Sequence, residues 1–488
     1  MSARTAVVVG GGVAGLAAAR SLVTAGYDVT VLEAAPQWGG KLASTRPGGV
    51  RLDSGAESVL ARRPEALALI HDLGLDDRLV HPTAAAAQVL VGGEVCRLPP
   101  SAMGVPRDLD ALAGYLSREG LDRARQEPEL PAPAFDDDLG IGAYVDARFG
   151  PEVTDRLLEP LLGGVYAGQS RLLSFEAVSP ALFARACRGG SLLEHAQQST
   201  VTSAHGPVFA GLVGGVATLA DALVADLLTK GATLRTGVTV RELSPLRTGA
   251  TSGYRLLCGP TTAPELIDCD AVVLATPAGP AGRLLTGLAA VGHELAAVPY
   301  ASTAVLTLVL RGARLTGSGL LVPPGELPTI KALTYSSNKW AWVADAAQHA
   351  WGTDASVVRV SVGRLGEERL LQLDDDALLA RTWTEARRLP GWEQAELVTG
   401  EVARWGGALP QYLVGHRVLV GRVRAAERGW PGLALCGAAL DGVGVAACLA
   451  GATAAADKID QDLSGGSPAA SPPTDLPSPR QLAERNLR

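Results

Sequence analysis

The chain alternates short, wholly apolar runs with longer segments whose apolar positions recur every three or four residues. Residues 5–9 (TAVVV) are the first such run and have strand length. Residues 15–26 follow, with Leu16, Ala19, Leu22 and Val23 on one helical face and Gly26 as a stop. Residues 28–32 (DVTVL) predict a second strand that ends at Glu33. Strand, helix and strand in this order predict one βαβ unit with a right-handed crossover.

The same reading extends along the chain. Residues 64–74 predict a helix, with Pro64 in its first turn and Gly74 at its end. Residues 108–127 and 140–160 read as helical, separated by a Pro- and Asp-rich loop at 128–138. Residues 214–230 predict an amphipathic helix that opens on a double glycine, and a strand-like stretch at 233–243 follows. Residues 270–276 (DAVVLAT) predict a buried strand stopped by Pro277. From 300 to 412 strand-like stretches such as 303–310 and 356–363 flank a helix at 374–388. A last apolar strand at 433–437 leads through a glycine-rich turn into a helix at 444–458. From 464 to 488 the Ser/Pro-rich composition predicts a disordered tail, and no 20–50-residue repeat is visible.

Composition narrows the class. With 488 residues, 47% hydrophobic and 19% charged, the chain is long and apolar enough for more than one core. A net charge of −7 speaks against nucleic acid as a partner, and an anionic substrate would need locally placed cations. Lysine is scarce: Lys41, Lys230, Lys331, Lys339 and Lys458 are all there are. The six cysteines form no CxxC pair and read as reduced thiols of a cytoplasmic protein; no His/Cys spacing suggests a metal. The apolar stretch 433–456 is too broken by Asp441 and glycines to predict a membrane span, and no signal peptide is expected.

The glycines carry the first chemistry. Gly10, Gly12 and Gly15 follow the first strand as GxGxxG, and Glu33 closes the second strand. This order predicts a dinucleotide on the helix N-terminus, its ribose hydroxyls held by the carboxylate. Gly39-Gly40-Lys41 soon follows. A second strand–glycine–helix corner lies near the C-terminus, at Cys436-Gly437 and Asp441-Gly442-Val443-Gly444. A simple nicotinamide dehydrogenase does not need that second corner; an extended flavin dinucleotide does, and FAD is the expected cofactor.

These motifs, with the GG-xx-TL helix start at 214–219, resemble the flavin amine oxidase superfamily. More specific stretches, DSGAESVLARRPE (53–65), EPLLGGVYAG (159–168), YSSNKW (335–340) and ALPQYLVGH (408–416), resemble bacterial protoporphyrinogen/coproporphyrinogen III oxidases. The resemblance covers the chain to about residue 460. It implies an α/β fold: a Rossmann-like FAD-binding domain with an inserted mixed-sheet substrate domain and a helical insert. The FAD domain is expected from 1–95, 208–276 and 415–463, the helical insert from 96–207 and the substrate domain from 277–414. The expected non-covalent FAD contacts are Gly10, Gly12, Val13, Ala14, Gly15, Glu33, Ala34, Gly40, Lys41, Leu42, Gly55, Ala56, Glu57, Ser58, Val238, Thr276, Gly437, Val443, Gly444 and Val445.

The resemblance also implies the reaction: a porphyrinogen loses six electrons to become a porphyrin, with oxygen as acceptor and hydrogen peroxide released. Aromatisation of the macrocycle drives it, so no catalytic base is assigned. The pocket needs apolar walls and a few cations. Arg62, Arg63, Lys331 and Lys339 are the expected propionate contacts, with solvated surface cations as the competing reading. Gly164 is expected to turn its carbonyl to the macrocycle centre, with Tyr166 along the wall. Tyr335, Trp340, Trp405 and Tyr412 are expected near the flavin, and His416 as a structural histidine.

Coproporphyrinogen III is the preferred substrate, because four propionates use more of these cations. Protoporphyrinogen IX, a flavin amine oxidase or desaturase reaction, and a non-catalytic flavoprotein porphyrin carrier remain alternatives. The family context implies transient contact with other haem-synthesis enzymes or a membrane surface, and fixes no oligomeric state.

Overall fold

The protein is described by a computed structural model over residues 3–198, 207–248 and 251–464. The expected tail lies, from residue 465 onward, outside the described residues.

A five-stranded, all-parallel sheet runs in the order Thr233–Arg235, Asp28–Leu32, Thr5–Val9, Ala271–Leu274, Leu433–Leu435. Its inner strands are mostly apolar because both faces are covered, while the edge strand Thr233–Arg235 keeps Thr233 and Arg235. Ala6 and Val8 pack under the helices Val13–Thr24, Thr218–Thr229 and Val445–Ser464. Val7 and Val9 point the other way, to a core shared with the helices Ala278–Leu285 and Val291–Ala296 and an antiparallel three-stranded sheet spanning 240–269. Thr5–Val9 lies at the centre, with later strands added on either side. Its carboxyl end is therefore the switch point where such sheets bind dinucleotides.

A second, mixed sheet has seven strands: Glu396–Pro410, Tyr300–Arg311, Ala355–Val362, Ile330–Thr334, Gly319–Leu321, Ala87–Val91 and Glu94–Arg97. Only the Gly319–Leu321/Ala87–Val91 pair is parallel. The hairpin 87–97 joins this sheet, so the boundary expected at residue 95 falls inside a strand of the substrate-side sheet. One face, with Leu306, Leu308, Val358, Val360 and Leu333, packs on the helix Asp375–Ala386. Period-two alternation turns Thr303, Thr307, Thr334, Arg359, Ser361 and Trp405 to the opposite face.

A third body is helical and spans Arg118 to Gln198 around Phe149, Leu157, Phe175 and Leu182. The helices expected at 108–127 and 140–160 are shorter than read. Ser117 caps the first by accepting from the Gly120 N–H, so it starts at Arg118. Gly150 (φ +93°) and Pro151 break the second, which resumes through a π-helical turn at Thr154–Leu158 into Glu159–Tyr166. The strand expected over 233–243 is interrupted at Gly237 (φ +70°). No helix of the described residues is long and apolar enough to cross a membrane.

Candidate cofactor and substrate site

The three motif glycines do different work. A Cβ on Gly15 would lie 1.8 Å from the Gly10 carbonyl oxygen, so only glycine lets helix and strand meet here. Gly10 has φ +111°, and a Cβ there would press on the Ala275 carbonyl at 2.8 Å. Gly12 faces open space, with nothing within 4 Å of a built Cβ. The helix Val13–Thr24 that it opens has no side-chain cap, so the N–H groups of Val13, Ala14 and Gly15 are available to a phosphate. Glu33 accepts from the N–H of Gly11 (2.6 Å) and of Ala35 (2.7 Å). These bonds hold its carboxylate, with Ala34 in the turn, at the strand end and leave lone pairs for hydroxyls. The Val238 N–H donates to the Glu33 carbonyl, bringing Val238 to the same end.

The loop from Gly39 to Ser58 closes over this corner. The Gly39 N–H donates to the Gly11 carbonyl (2.9 Å), and Gly40 (φ +56°) places its Cβ position 3.2 Å from the Gly12 Cα. Leu42 is buried in the core. Among the described residues Lys41 makes no ion pair, burial pushes its ammonium down, and its Nζ lies 6.0 Å from the Tyr300 ring centroid. The Ala56 N–H donates to the Lys41 carbonyl (3.0 Å), and a Cβ on Gly55 would lie 2.0 Å from that same oxygen.

Glu57 clamps this loop to the seven-stranded sheet. It accepts from Lys339 Nζ (3.0 Å) and Ser336 Oγ (2.6 Å), and lies 3.5 Å from Arg359. Burial alone would raise its carboxyl, but Lys339 and Arg359 overcome that and hold it at about 2. Ser58 is half-buried where the loop enters the strand Val59–Leu60.

Asp53 escaped the sequence reading. It is buried and accepts from the N–H groups of Val216 (2.8 Å) and Ala217 (3.0 Å), which caps the helix Thr218–Thr229 from 163 and 164 residues away. The signal was there: the double glycine before that helix is followed by no Ser, Asp or Asn to cap it.

The C-terminal corner forms as expected. Gly437 (φ +121°) brings its Cβ position to 3.9 Å from the Ala14 Cβ. Asp441 secures the turn by accepting from the Gly437 N–H (2.8 Å) and Arg424 (2.6 Å). Gly444 again faces open space, directly before the helix Val445–Ser464. Val443 leans toward the helical body and Val445 toward the nucleotide core. Thr276, just past the strand Ala271–Leu274, has a buried Oγ1 with no hydrogen-bond partner among the described residues. Two glycine-opened helix starts, the Glu33 carboxylate and this orphaned hydroxyl fit an extended dinucleotide such as FAD.

The second sheet supplies the opposite wall. Trp405 donates through Nε1 to the Ser54 carbonyl (3.1 Å), and Arg359 donates to the Gly55 carbonyl (2.5 Å). These two bonds bring the polar face of the sheet against the cofactor loop. The helix Glu159–Tyr166 closes the third side. It ends at Ala167 in the left-handed region (φ +49°), and Gly164 is exposed while Tyr166 is buried, its phenol pushed up to about 12.

Gln411, not singled out from sequence, donates to the Tyr166 carbonyl (2.8 Å), and a Cβ on Gly168 would collide with its Oε1. Tyr166 packs 5.6 Å from Tyr412, which stacks on His416 at 4.2 Å. His416 is buried and burial lowers its pKa, the setting of a packed neutral imidazole.

The four expected rim cations separate. Lys331 is 7% exposed with no carboxylate within ion-pair distance among the described residues; burial and then Arg364 push its ammonium down to about 7. Lys339 does not stand free for a substrate, because Glu57 takes it. Arg63 is likewise engaged, by Glu65 two residues on (2.6 Å). Arg62 is exposed and makes no ion pair among the described residues. Arg359, half-buried between loop and sheet, is a cation the sequence reading missed. Nothing local marks it, because its partners lie about 300 residues away.

The family of flavin containing amine oxidoreductases matches residues 13–460. The chain belongs to that family. Within it, the chain is 34% identical to the coproporphyrinogen III oxidase of Mycobacterium tuberculosis, over 95% of this chain and 99% of the relative. It is 29% identical to the Bacillus subtilis protein of the same name, over 91% and 95%. The bovine protoporphyrinogen oxidase is 30% identical over 68% of this chain and 73% of the relative. A crystal structure of a putative protoporphyrinogen oxidase from Exiguobacterium superposes with TM-score 0.80 at 29% identity, covering 95% of this chain and all of the other. Cyclohexylamine oxidase from Brevibacterium oxydans shares the fold at TM-score 0.68 and 16% identity. The chain is thus a flavoenzyme of the porphyrinogen oxidase group, and the α/β fold with an FAD-binding Rossmann-like part is that of its family.

Proposed function

We propose that this enzyme oxidises coproporphyrinogen III to coproporphyrin III in haem synthesis, with oxygen as the final acceptor. The observation that carries this reading is the joining of two walls: Arg359 and Trp405 hold the cofactor loop against the polar face of the seven-stranded sheet, and the strand Ile330–Thr334 of that sheet carries the buried Lys331. The substrate gives up six electrons and six protons; three oxygen molecules take them and leave as three hydrogen peroxide. FAD, when bound, supplies two-electron acceptor chemistry for each of the three rounds.

The chain's own residues position and exclude water. The N–H groups at Val13 and Val445 would hold the cofactor at the two helix starts, and Glu33 would accept from its ribose hydroxyls. Non-covalent binding is supported by Cys436 and Cys448, the cysteines of this corner. Both are buried with thiols pushed up, Cys448 to about 11, so neither is a ready thiolate. The loop Gly55–Ser58, fixed by Arg359 and Lys339, sets the distance between cofactor and substrate walls. Gly164 leaves its carbonyl side open to a macrocycle, with Tyr166 behind it. Lys331 meets an inner propionate and Arg62 an outer one. The protein works in the cytoplasm, with any membrane contact peripheral.

The test is aerobic turnover of purified holoenzyme on coproporphyrinogen III and protoporphyrinogen IX, followed by porphyrin fluorescence and peroxide. Faster turnover on coproporphyrinogen with peroxide in threefold excess over porphyrin supports the assignment. Faster turnover on protoporphyrinogen moves the enzyme to that substrate, and no porphyrin from either overturns the reading.

A further inference from the structure

Lys331 does not act alone. It sits in the strand Ile330–Thr334 at an irregularity in the pairing with Ala355–Val362. Its carbonyl accepts from the Val322 N–H (3.1 Å), and the Val322 carbonyl accepts from Arg364 Nη2 (2.9 Å). Val322 thus links the Lys331 main chain to the Arg364 guanidinium, whose charge acts on the Lys331 ammonium. Arg364 is 8% exposed, and its Nε is buried with no hydrogen-bond partner. That Nε lies 3.9 Å from where a Gly163 Cβ would be, on the glycine-rich end of the helix Glu159–Tyr166. The next residue, Leu365, donates its N–H to the Ala167 carbonyl (2.8 Å) and fixes this edge to the helix end.

The charges do not balance. Among the described residues, the one carboxylate paired with either buried cation is Glu367, which is 3.5 Å from Arg364 Nη1 and 39% exposed at its side chain. A guanidinium Nε and a buried ammonium, neither of them paired with a carboxylate at ion-pair distance among the described residues, are costly in the free protein. A carboxylate placed between them would relieve both, by charge-assisted hydrogen bonds.

We propose that Lys331 and Arg364 form an inner carboxylate site that selects a substrate bearing a propionate at its buried edge. This rests on the porphyrinogen oxidase reading. Coproporphyrinogen III has four propionates, so whichever edge faces solvent, propionates also enter the protein. Protoporphyrinogen IX has vinyl groups in place of two of them and can enter with that apolar edge first. A vinyl group leaves the cation pair uncompensated, a propionate neutralises it, and the pair therefore discriminates by penalising the wrong edge as much as by binding the right one.

The experiment compares wild type with Lys331→Met, Lys331→Arg and Arg364→Met as flavin-loaded proteins. kcat/KM is measured on both porphyrinogens, and binding of coproporphyrin III and of its tetramethyl ester by fluorescence. The ratio of kcat/KM for coproporphyrinogen over protoporphyrinogen should fall about ten- to a hundredfold in each Met variant, chiefly through KM. Coproporphyrin III affinity should fall with it, the ester's should fall far less, and Lys331→Arg should recover most of the loss. Removing an unpaired buried lysine does not threaten folding, and flavin content with thermal unfolding verifies this. An unchanged ratio, or equal losses for the acid and the ester, overturns the inference. A wild type that oxidises neither porphyrinogen overturns the underlying reading instead, and porphyrin binding then still tests the carboxylate site by itself.

Discussion

Lys339 donates to Glu57 across 3.0 Å and, with Arg359 on the other side, ties the cofactor loop to the substrate-side sheet. A lysine expected at the substrate rim is instead a strut between the two halves of the site. Glu57→Gln removes the charge that both cations face and should cost about 3 kcal/mol in unfolding by denaturant at neutral pH. Flavin release should accompany the loss.

The same carboxylate gives a pH signature. Its folded pKa, about 2, lies below the ordinary value near 4.5. The stability it contributes is therefore present above pH 4.5 and is lost as pH falls from there towards 2. The difference in melting temperature between wild type and Glu57→Gln should shrink over that window, as read by circular dichroism across a pH series.

Lys331 has the opposite sign. Its folded pKa of about 7 lies below the unfolded value near 10.5. Between these pH values the unfolded chain binds the extra proton, so this residue makes stability rise with pH from about 7 to 10.5. Lys331→Met should therefore raise the melting temperature of the substrate-free protein most below pH 7, with the advantage fading toward pH 10.

Gly12 and Gly15 should behave differently although both belong to one motif. Gly15→Ala puts a methyl 1.8 Å from the Gly10 carbonyl and should yield little folded protein. Gly12→Val extends only into open space and should fold with normal far-ultraviolet dichroism, yet fail to retain flavin. Visible absorbance of the purified variants checks the contrast.

Asp53→Ala uncaps Thr218–Thr229 and should cost about 1–2 kcal/mol in denaturant unfolding. Asp53→Asn, which keeps one carbonyl acceptor, should recover part of that.

The nucleotide half of the site was legible in the sequence because its parts are local. Gly10 to Gly15, Glu33 and Gly437 to Val445 act through their own turns and helix starts. The runs at 5–9 and 28–32 become strands with the expected bounds, and the run at 433–437 becomes the shorter strand Leu433–Leu435, because parallel strands covered on both faces are mostly apolar. Helix boundaries at 117 and 150 were misread because a cap and a glycine with positive φ outrank periodicity. The substrate half was less legible because its geometry is made by partners hundreds of residues apart. Nothing near Lys339 announces Glu57, nothing near Arg359 announces Gly55, and nothing around Arg364 announces Lys331 across the Val322 carbonyl. Asp53 and Gln411 were missed for the same reason: each satisfies backbone groups of a distant segment.

The most direct test is to mix the oxidised holoenzyme with coproporphyrinogen III without oxygen and follow the visible flavin band. The account predicts that the band bleaches as the substrate is consumed, returns when air is admitted, and bleaches more slowly in Lys331→Met. A flavin that stays oxidised with coproporphyrinogen III but bleaches with an amine would contradict it.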